Sequence, residues 1–393
     1  MADKNRKPEI RFEGFYDDWE ECKVEKLCSI STGKSNTQDN VSDGKYRFYV
    51  RSPIIEHSNR YIYDQEAVLT VGDGVGTGKV FHYVNGKYDL HQRVYQMYDF
   101  NGVLGKYFYY NFSLNFYERV MSMTAKTSVD SVRLEMISKM DMCFPEIEEQ
   151  KRIISLLENL DKIITLHQRK HKKILSIKKA MLNKMFPEKN NDIPEIRFKG
   201  HTDVWEQREF GKCVLIQRGG SPRPIEDFII NDVNGINWIK IGDVAKGSRY
   251  ITSTKEKIKL EGEKKSRRVF IGDLILSNSM SFGRPYIMQV DGCIHDGWLL
   301  IRDKKKMFDI EYLLQMLSSD YMLDQYKSLA SGGVVNNLNS ELVQSTTVLL
   351  PEITEQEKIG ELFKQIDNLI TLHENQLDKL KNIKESCLEK MFV

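Results

Sequence analysis

The sequence predicts an α+β protein in which two globular β-rich units are separated by two long antiparallel helices forming a coiled coil, with a pseudo-twofold internal repeat. Three observations lead there. Residues 145–186 and 351–392 align without a gap and share 19 of 42 positions. A shorter string, PEIRFEGFYDDWE at 8–20, returns as PEIRFKGHTDVWE at 194–206 with 9 of 13 identical. Between these borders the interiors are dissimilar and rich in short strand-like runs. Near-identical borders around dissimilar interiors suggest a molecule that reads two targets through a fixed frame. The expected boundaries are a first β-rich unit at 1–147, a helix at 148–186, a linker at 187–193, a second β-rich unit at 194–353 and a second helix at 354–393.

Bulk composition narrows the class. The chain has 393 residues, 40% hydrophobic and 29% charged, long enough for two or more domains with cores of their own. No apolar run approaches the ~18 residues of a membrane span, so no membrane partner is expected. The polar start, MADKNRKPEI, lacks the apolar core of a signal peptide. The six cysteines are scattered without a C-x-x-C pair, which points to reduced thiols in the cytoplasm and away from a metal site. A net charge of +2 is too small to signal nucleic-acid binding by itself, so such a role must rest on local patches.

Each long repeat reads as a helix. Each follows a proline that ends an extended stretch (Pro145, Pro351), carries acidic residues in its first turn (Glu146, Glu148, Glu149; Glu352, Glu355) and has lysines near its end, in keeping with the helix dipole. A 3–4 spacing marks a seam over about five heptads. It runs through Ile153, Leu157, Leu160, Ile164, His167, His171, Ile174, Lys178, Met181 and Met185. Its counterpart is Ile359, Phe363, Ile366, Ile370, His373, Leu377, Leu380, Lys384, Cys387 and Met391. His167 matches His373 and Lys178 matches Lys384; polar residues at such positions fix register at some cost in stability. Residues 148–186 carry ten Lys/Arg against four Asp/Glu, and 354–392 carry six against eight, which favours pairing of the two rods. A helix of roughly 36 residues would extend ~54 Å, a spacer suited to two-site reading of a duplex whose major-groove faces recur every ~34–36 Å.

The interiors, 20–144 and 207–350, supply strands at 47–50, 67–71, 79–84 and 93–97 in the first unit. In the second they fall at 237–241, 273–277, 286–290 and 298–301. Asn85-Gly86 and Asp291-Gly292 read as turns between them. Faint internal matches persist: Thr32-Gly33-Lys34-Ser35 faces Arg218-Gly219-Gly220-Ser221, Gly76 faces Gly283, and Leu90-His91 faces Ile294-His295. The run Gly72–Lys79 fails the phosphate-loop spacing, because Asp73 stands where a glycine is needed and Val80 where Ser or Thr is needed. It is either a plain turn or a loop whose bare backbone approaches DNA phosphates. Candidate DNA contacts are Lys34, Ser35, Lys79, Lys126 and Thr127 in the first unit. In the second they are Arg218, Gly220, Ser221, Arg223, Lys240, Arg284, Asn336 and Asn337. Surface turns would explain several of them equally well, and Lys304–Lys306 reads as a solvated face. No methyltransferase, phosphate-loop, hydrolase-elbow or metal-ligand motif is found, so the chain reads as a binder.

This pattern resembles the specificity (S) subunit of type I restriction–modification enzymes over nearly the whole chain. The carriers are the Pro-Glu-Ile-Arg-Phe and Trp-Glu strings, the Pro-Glu-Ile-x-Glu-Gln openings, the Lys-Met-Phe helix endings, Gly219-Gly220-Ser221-Pro222 and the block Asn237–Asp243. The resemblance implies two target-recognition domains, each reading one half of a bipartite double-stranded DNA site. It implies a coiled coil that sets the spacing and docks two modification (methyltransferase) subunits, which restriction (translocase/nuclease) subunits join. No cofactor would be bound by this chain; S-adenosylmethionine, ATP and Mg²⁺ would belong to the partner subunits. The first unit's Thr-Gly-Lys-Ser-Asn departs from the Gly-Gly-Ser-Pro form of the second. A free-standing DNA-modifying enzyme and a coiled-coil scaffold without nucleic acid are the competing readings.

Overall fold

The computed structural model describes residues 7–74, 76–123, 131–187, 193–232, 234–245, 247–278, 283–330 and 338–393. The chain divides into two compact units, Met1–Leu166 with Leu377–Val393, and His167–Gln376. Each unit takes part of each long helix. Of the linker expected at 187–193, only Pro187 and Ile193 are described.

In the first unit a six-stranded sheet runs in the order Ser29–Thr32, Val94–Tyr98, Tyr63–Val71, Phe81–Leu90, Tyr46–Tyr49, Ile55–Ser58. All pairs are antiparallel except Tyr46–Tyr49 against Phe81–Leu90. Alternate residues leave by opposite faces. Val68 and Met97 enter a core with the helix Gly105–Ser122, while Ala67 and Leu69 enter a second core with Tyr49, Val84 and Leu90. Phe108, Phe112 and Phe116, spaced four apart on that helix, stack on one another, and Phe81 meets the last two edge-on. Asn85-Gly86 is not a turn. Both lie inside Phe81–Leu90, paired with Glu66 and Gln65, and Gly86 holds φ of 116°. The strand alternation continues through them, which turn composition alone could not show.

The second unit has two five-stranded sheets. One is ordered Leu215–Arg218, Trp298–Arg302, Leu274–Ser277, Pro285–Met288, Tyr250–Ile251; the other Ile229–Ile230, Glu256–Ile258, Ile236–Ile239, Gly292–Ile294, Arg267–Val269. The central strands of the first sheet are buried on both faces. Leu274, Leu276, Ile287, Leu299 and Ile301 face the helix Ile310–Ser318, and Ile275, Tyr286, Met288, Trp298 and Leu300 face Ile239 and Ile294 of the other sheet. That double burial explains their nearly continuous apolar sequences.

The long helices span Ile147–Met185 and Ile353–Lys390. Every one of the ten seam positions on each helix is buried or half-buried. Within the second unit they run antiparallel, since His167 meets His373, His171 meets Glu374 and Lys178 meets Asp367. Within the first unit Asp161 meets Lys384 in the same sense. The Lys–Asp contacts are the same pair of repeat positions, used reciprocally.

The repeated strings form one joint, built twice. Arg11 forks onto Glu149 at 2.9 and 2.7 Å, and Trp19 donates to the same carboxylate at 3.3 Å. Arg197 forks onto Glu355 at 2.9 and 2.6 Å, and Trp205 donates at 3.1 Å. The adjacent glutamines, Gln150 and Gln356, bond the carbonyls of Pro145 and Pro351 and accept from Leu104 N and Asp309 N. Ile10 N and Ile196 N each cap a long helix, at Lys390 O and Lys184 O. The Phe of each Lys-Met-Phe ending, Phe392 or Phe186, packs edge-on to the Trp and stacks on Tyr107 or Tyr312. Among the described residues no helix is long and apolar enough to cross a membrane.

Candidate nucleic-acid interface

The internal matches noted in the sequence converge on one structural frame in each unit. Gly33 N bonds Val94 O, and a Cβ at Gly33 would lie 2.2 Å from Leu90 O. Gly219 N bonds Trp298 O, and a Cβ there would lie 2.1 Å from His295 O. Only glycine permits this approach. Lys34 N and Gly220 N then bond the carbonyls of Leu90 and Ile294, and the next histidine in each unit uses Nδ1 to accept a backbone N–H, from Arg93 or Gly297. The glycine, the serine and the histidine thus sit at the same end of each unit's sheet.

In the first unit Ser35 is fully buried and donates to Asp89, itself fully buried, at 2.6 Å. The Arg60 guanidinium lies over this pair. Its Nη2 donates to Ser35 Oγ at 3.2 Å and meets Asp39 at 2.9 Å, and its Nε is 3.6 Å from Asp89 Oδ2. Burial holds the His91 imidazole below its ordinary pKa, helped by the nearby Arg51 and Arg93 charges, so it stays neutral. Arg51 and Arg93 both reach Asp73 of the glycine-rich loop, at 3.5 and 3.8 Å. That loop is a turn with positive φ at Gly74, Gly76 and Gly78, tied to the sheet through Gly72 N and Arg93 O. Lys34 is exposed, and Lys79 is exposed with its ammonium 4.4 Å from the Tyr117 ring centroid.

In the second unit Ser221 donates to Asp296 Oδ1 at 3.1 Å, Arg223 reaches Oδ2 at 3.4 Å, and Arg218 donates to the Asp296 carbonyl. Burial would raise the Asp296 pKa. The Ser221 hydrogen bond, His295 and Arg223 outweigh it and hold the carboxyl below its ordinary range. A cleft of about 640 Å³ opens beside it, lined by Arg223, Ile229, Trp238, Lys240, Glu256 and His295. Lys240 is ion-paired to Glu256 and so is not a free cation. Arg284 is exposed and its backbone bonds Ser277; the adjoining Asn278 donates to the Asp296 carbonyl, which brings Arg284 to the same end.

The structure therefore gathers Lys34 and Ser35 at one tip, and Arg218, Gly220, Ser221, Arg223, Lys240 and Arg284 at the other. Lys126, Thr127, Asn336 and Asn337 lie outside the described residues. Ser35 is buried and bonded to Asp89 and Arg60. Sequence reasoning passed over Arg51, Arg60, Arg93, Asp89 and Asp296. The Leu90-His91 and Ile294-His295 match was the available signal, because Asp89 and Asp296 flank it.

A family model described as the type I restriction modification DNA specificity domain matches residues 16–176 and 203–382. The chain belongs to this family. The specificity subunit of the type I restriction enzyme MjaVIII from Methanocaldococcus jannaschii is 22% identical over 95% of this chain and 91% of its own length. The EcoDI specificity subunit from Escherichia coli is 21% identical over 95% and 88%. The crystal structure of a type I restriction–modification S subunit from M. genitalium superposes with a TM-score of 0.64 at 12% identity, covering 98% of this chain and 99% of that one. A chain from a structural study of complex assembly and conformational transition in a type I system gives 0.55 at 16% identity over 95% and 97%. These likenesses share the α+β fold with two β-rich domains and long helices. As a type I DNA specificity subunit the chain recognises DNA sequence, and one copy of the family domain falls on each tip described above.

Proposed function

We propose that each unit of this specificity subunit reads one half of a bipartite duplex site through its tip, and that the paired helices set the distance between the halves. The same helices dock two modification subunits, to which restriction subunits are added. The chain carries no catalysis of its own; S-adenosylmethionine, ATP and Mg²⁺ are bound by those partners. Lys34, Lys79, Arg218, Gly220, Arg223 and Arg284 meet phosphates or base edges, with Ser35 and Ser221 fixing the loops that carry them. One observation carries this reading: a shared glycine–serine–histidine frame presents different charged groups in the two units, as two half-site readers on one scaffold require.

Selection of duplexes from a randomised pool by the full-length chain tests it. The expected outcome is two short consensus blocks at a fixed separation, with affinity falling steeply as salt rises. Inserting a heptad at the same level in both helices lengthens the separation and leaves both blocks unchanged. Exchange of 207–350 alters one block only. Salt-insensitive or absent duplex binding supports a scaffold instead. Methyl transfer or cleavage by the purified chain alone, given labelled methyl donor or Mg²⁺, supports a free-standing enzyme.

A further inference from the structure

Both tips contain the same three-residue device, assembled from positions that do not correspond. The serine corresponds: Ser35 and Ser221. The carboxylate does not, because Asp89 precedes His91 by two residues and Asp296 follows His295 by one. The arginine does not either, since Arg60 lies 25 residues after its serine and Arg223 lies two after its own. Yet the contacts agree. In each unit the hydroxyl donates to one carboxylate oxygen, and the other oxygen faces a guanidinium. Asp89 Oδ2 is buried and, among the described residues, has no hydrogen-bond donor; the Arg60 charge at 3.6 Å is what compensates it. Oδ1 accepts from the Ser35 hydroxyl and from Leu90 N–H, so the outer oxygen of this buried carboxylate is left to Arg60, which Asp39 holds from its other side. The arginines themselves are outward, with 56% of the Arg60 side chain and 81% of the Arg223 side chain exposed. Among the described residues nothing accepts from Arg60 Nη1, or from Nε and Nη1 of Arg223. In Arg60, Nη2 is taken by Ser35 and Asp39 and Nε faces Asp89, so Nη1 is the nitrogen left outward; Arg223 is held through Nη2 alone and keeps Nε and Nη1, so each presents N–H groups to a pair of acceptors.

We propose that Arg60 and Arg223 are the base-reading residues of their units, each recognising a guanine by its O6 and N7 edge, with Asp89 and Asp296 as positioning residues. This rests on the half-site reading above. Guanine follows from the donor pattern: of the base edges in the major groove, it alone offers two adjacent acceptors to an arginine fork. The shared device built from unshared positions fits two units whose guanines stand at different places in their half-sites.

The test is duplex selection by the full-length protein and its Arg60→Ala, Arg223→Ala and Asp89→Asn variants, with a salt titration of each. The wild type yields a guanine in each half. Arg60→Ala lowers discrimination at one guanine by roughly tenfold to a hundredfold and leaves the other half intact; Arg223→Ala does the converse. Asp89→Asn, which keeps an oxygen for Ser35 and removes the charge facing Arg60, weakens preference at the Arg60 guanine and nowhere else. A consensus preserved in Arg60→Ala, with affinity lower on all sequences and a salt slope smaller by about one, marks a phosphate contact and overturns the proposal. Half-sites without guanine overturn it as well. Failure of the wild type to select two blocks overturns the half-site reading itself, a different result from either of these.

Discussion

The two units share a joint and differ at their tips. At the joint, Arg11, Trp19 and Glu149 repeat in Arg197, Trp205 and Glu355, with the guanidinium-to-carboxylate distances agreeing within 0.1 Å. At the tips, only the glycine, the serine and the histidine recur; the carboxylate comes from opposite sides of the histidine and is buried in one unit, part-exposed in the other. A duplicated gene keeps the contacts that hold each unit to its helices, because a half-satisfied buried ion pair is costly. Groups outside such a joint are freer to change. The repeated strings at the joint are thus a folding signature, and the two units diverge where repetition ends.

The strongest test of the shared joint is removal of its carboxylate. Glu149→Ala strands a guanidinium and an indole N–H in a site where the glutamate side chain is 1% exposed. The expected loss is about 3–5 kcal/mol in denaturant unfolding. Glu355→Ala is expected to cost the same, and unequal losses would break the equivalence. The reciprocal Lys–Asp contacts should, by contrast, separate the units. Asp367 answers Lys178 at 2.5 Å, Arg249 at 3.3 Å and Gln315 at 3.0 Å. Asp367→Ala leaves two cations facing each other, and a loss of about 3 kcal/mol is expected. Asp161, which meets Lys384 and the Tyr110 hydroxyl, is 42% exposed, so Asp161→Ala costs about 1 kcal/mol or less. Equal losses here would show that the second unit's extra cation contributes nothing.

How much was legible follows the same division. The long helices, their seam and the central strands rest on period and length, which sequence carries directly. The Leu274–Ser277 and Trp298–Arg302 strands announce themselves because both faces are buried. The tips were half visible. Gly33 and Gly219 could be matched by alignment, and Ser221 and Arg223 share a loop. Arg60 and Asp89, 29 residues apart, meet only because Tyr46–Tyr49 pairs in parallel with Phe81–Leu90 and Ile55–Ser58 follows it at the sheet edge. No local pattern encodes such a crossing. Asn85-Gly86 misled for a related reason: a glycine that the strand tolerates has the composition of a turn.

Titration offers a finer separation of the two Lys–Asp sites. Burial lowers the Lys178 pKa from its ordinary 10.5 to about 8, and Arg249 adds to the effect, while Asp367 only partly opposes it. Between pH 8 and 9.5 the folded chain has lost that proton while the unfolded chain keeps it, so this group makes stability rise with pH. Lys178→Met removes the rise, and the wild-type and variant unfolding free energies should converge or cross as pH increases through that window. A wild-type difference that stays flat across the window would mean that Lys178 remains charged beside Asp367.

The smallest expected effect lies where the repeat meets itself. His167 and His373 are equivalent positions, and their Nδ1 atoms stand 2.9 Å apart, so one ring must donate and the other accept. Protonating the acceptor replaces that bond with two facing donors. Burial chiefly, then His167, Lys170 and His171, hold His373 below its ordinary 6.5, with Glu374 engaged by His171 rather than by His373. As pH falls below 6.5 the unfolded chain therefore takes up a proton that the folded chain resists, and stability declines. His373→Gln should flatten that decline in thermal midpoints measured between pH 7 and 5.5. At pH 7, His167→Gln and His373→Gln remove the same single bond and should cost the same, about 1 kcal/mol. A difference between them would mean that even at the position where the repeat pairs with itself, the surroundings supplied by the second unit have made the two copies unequal.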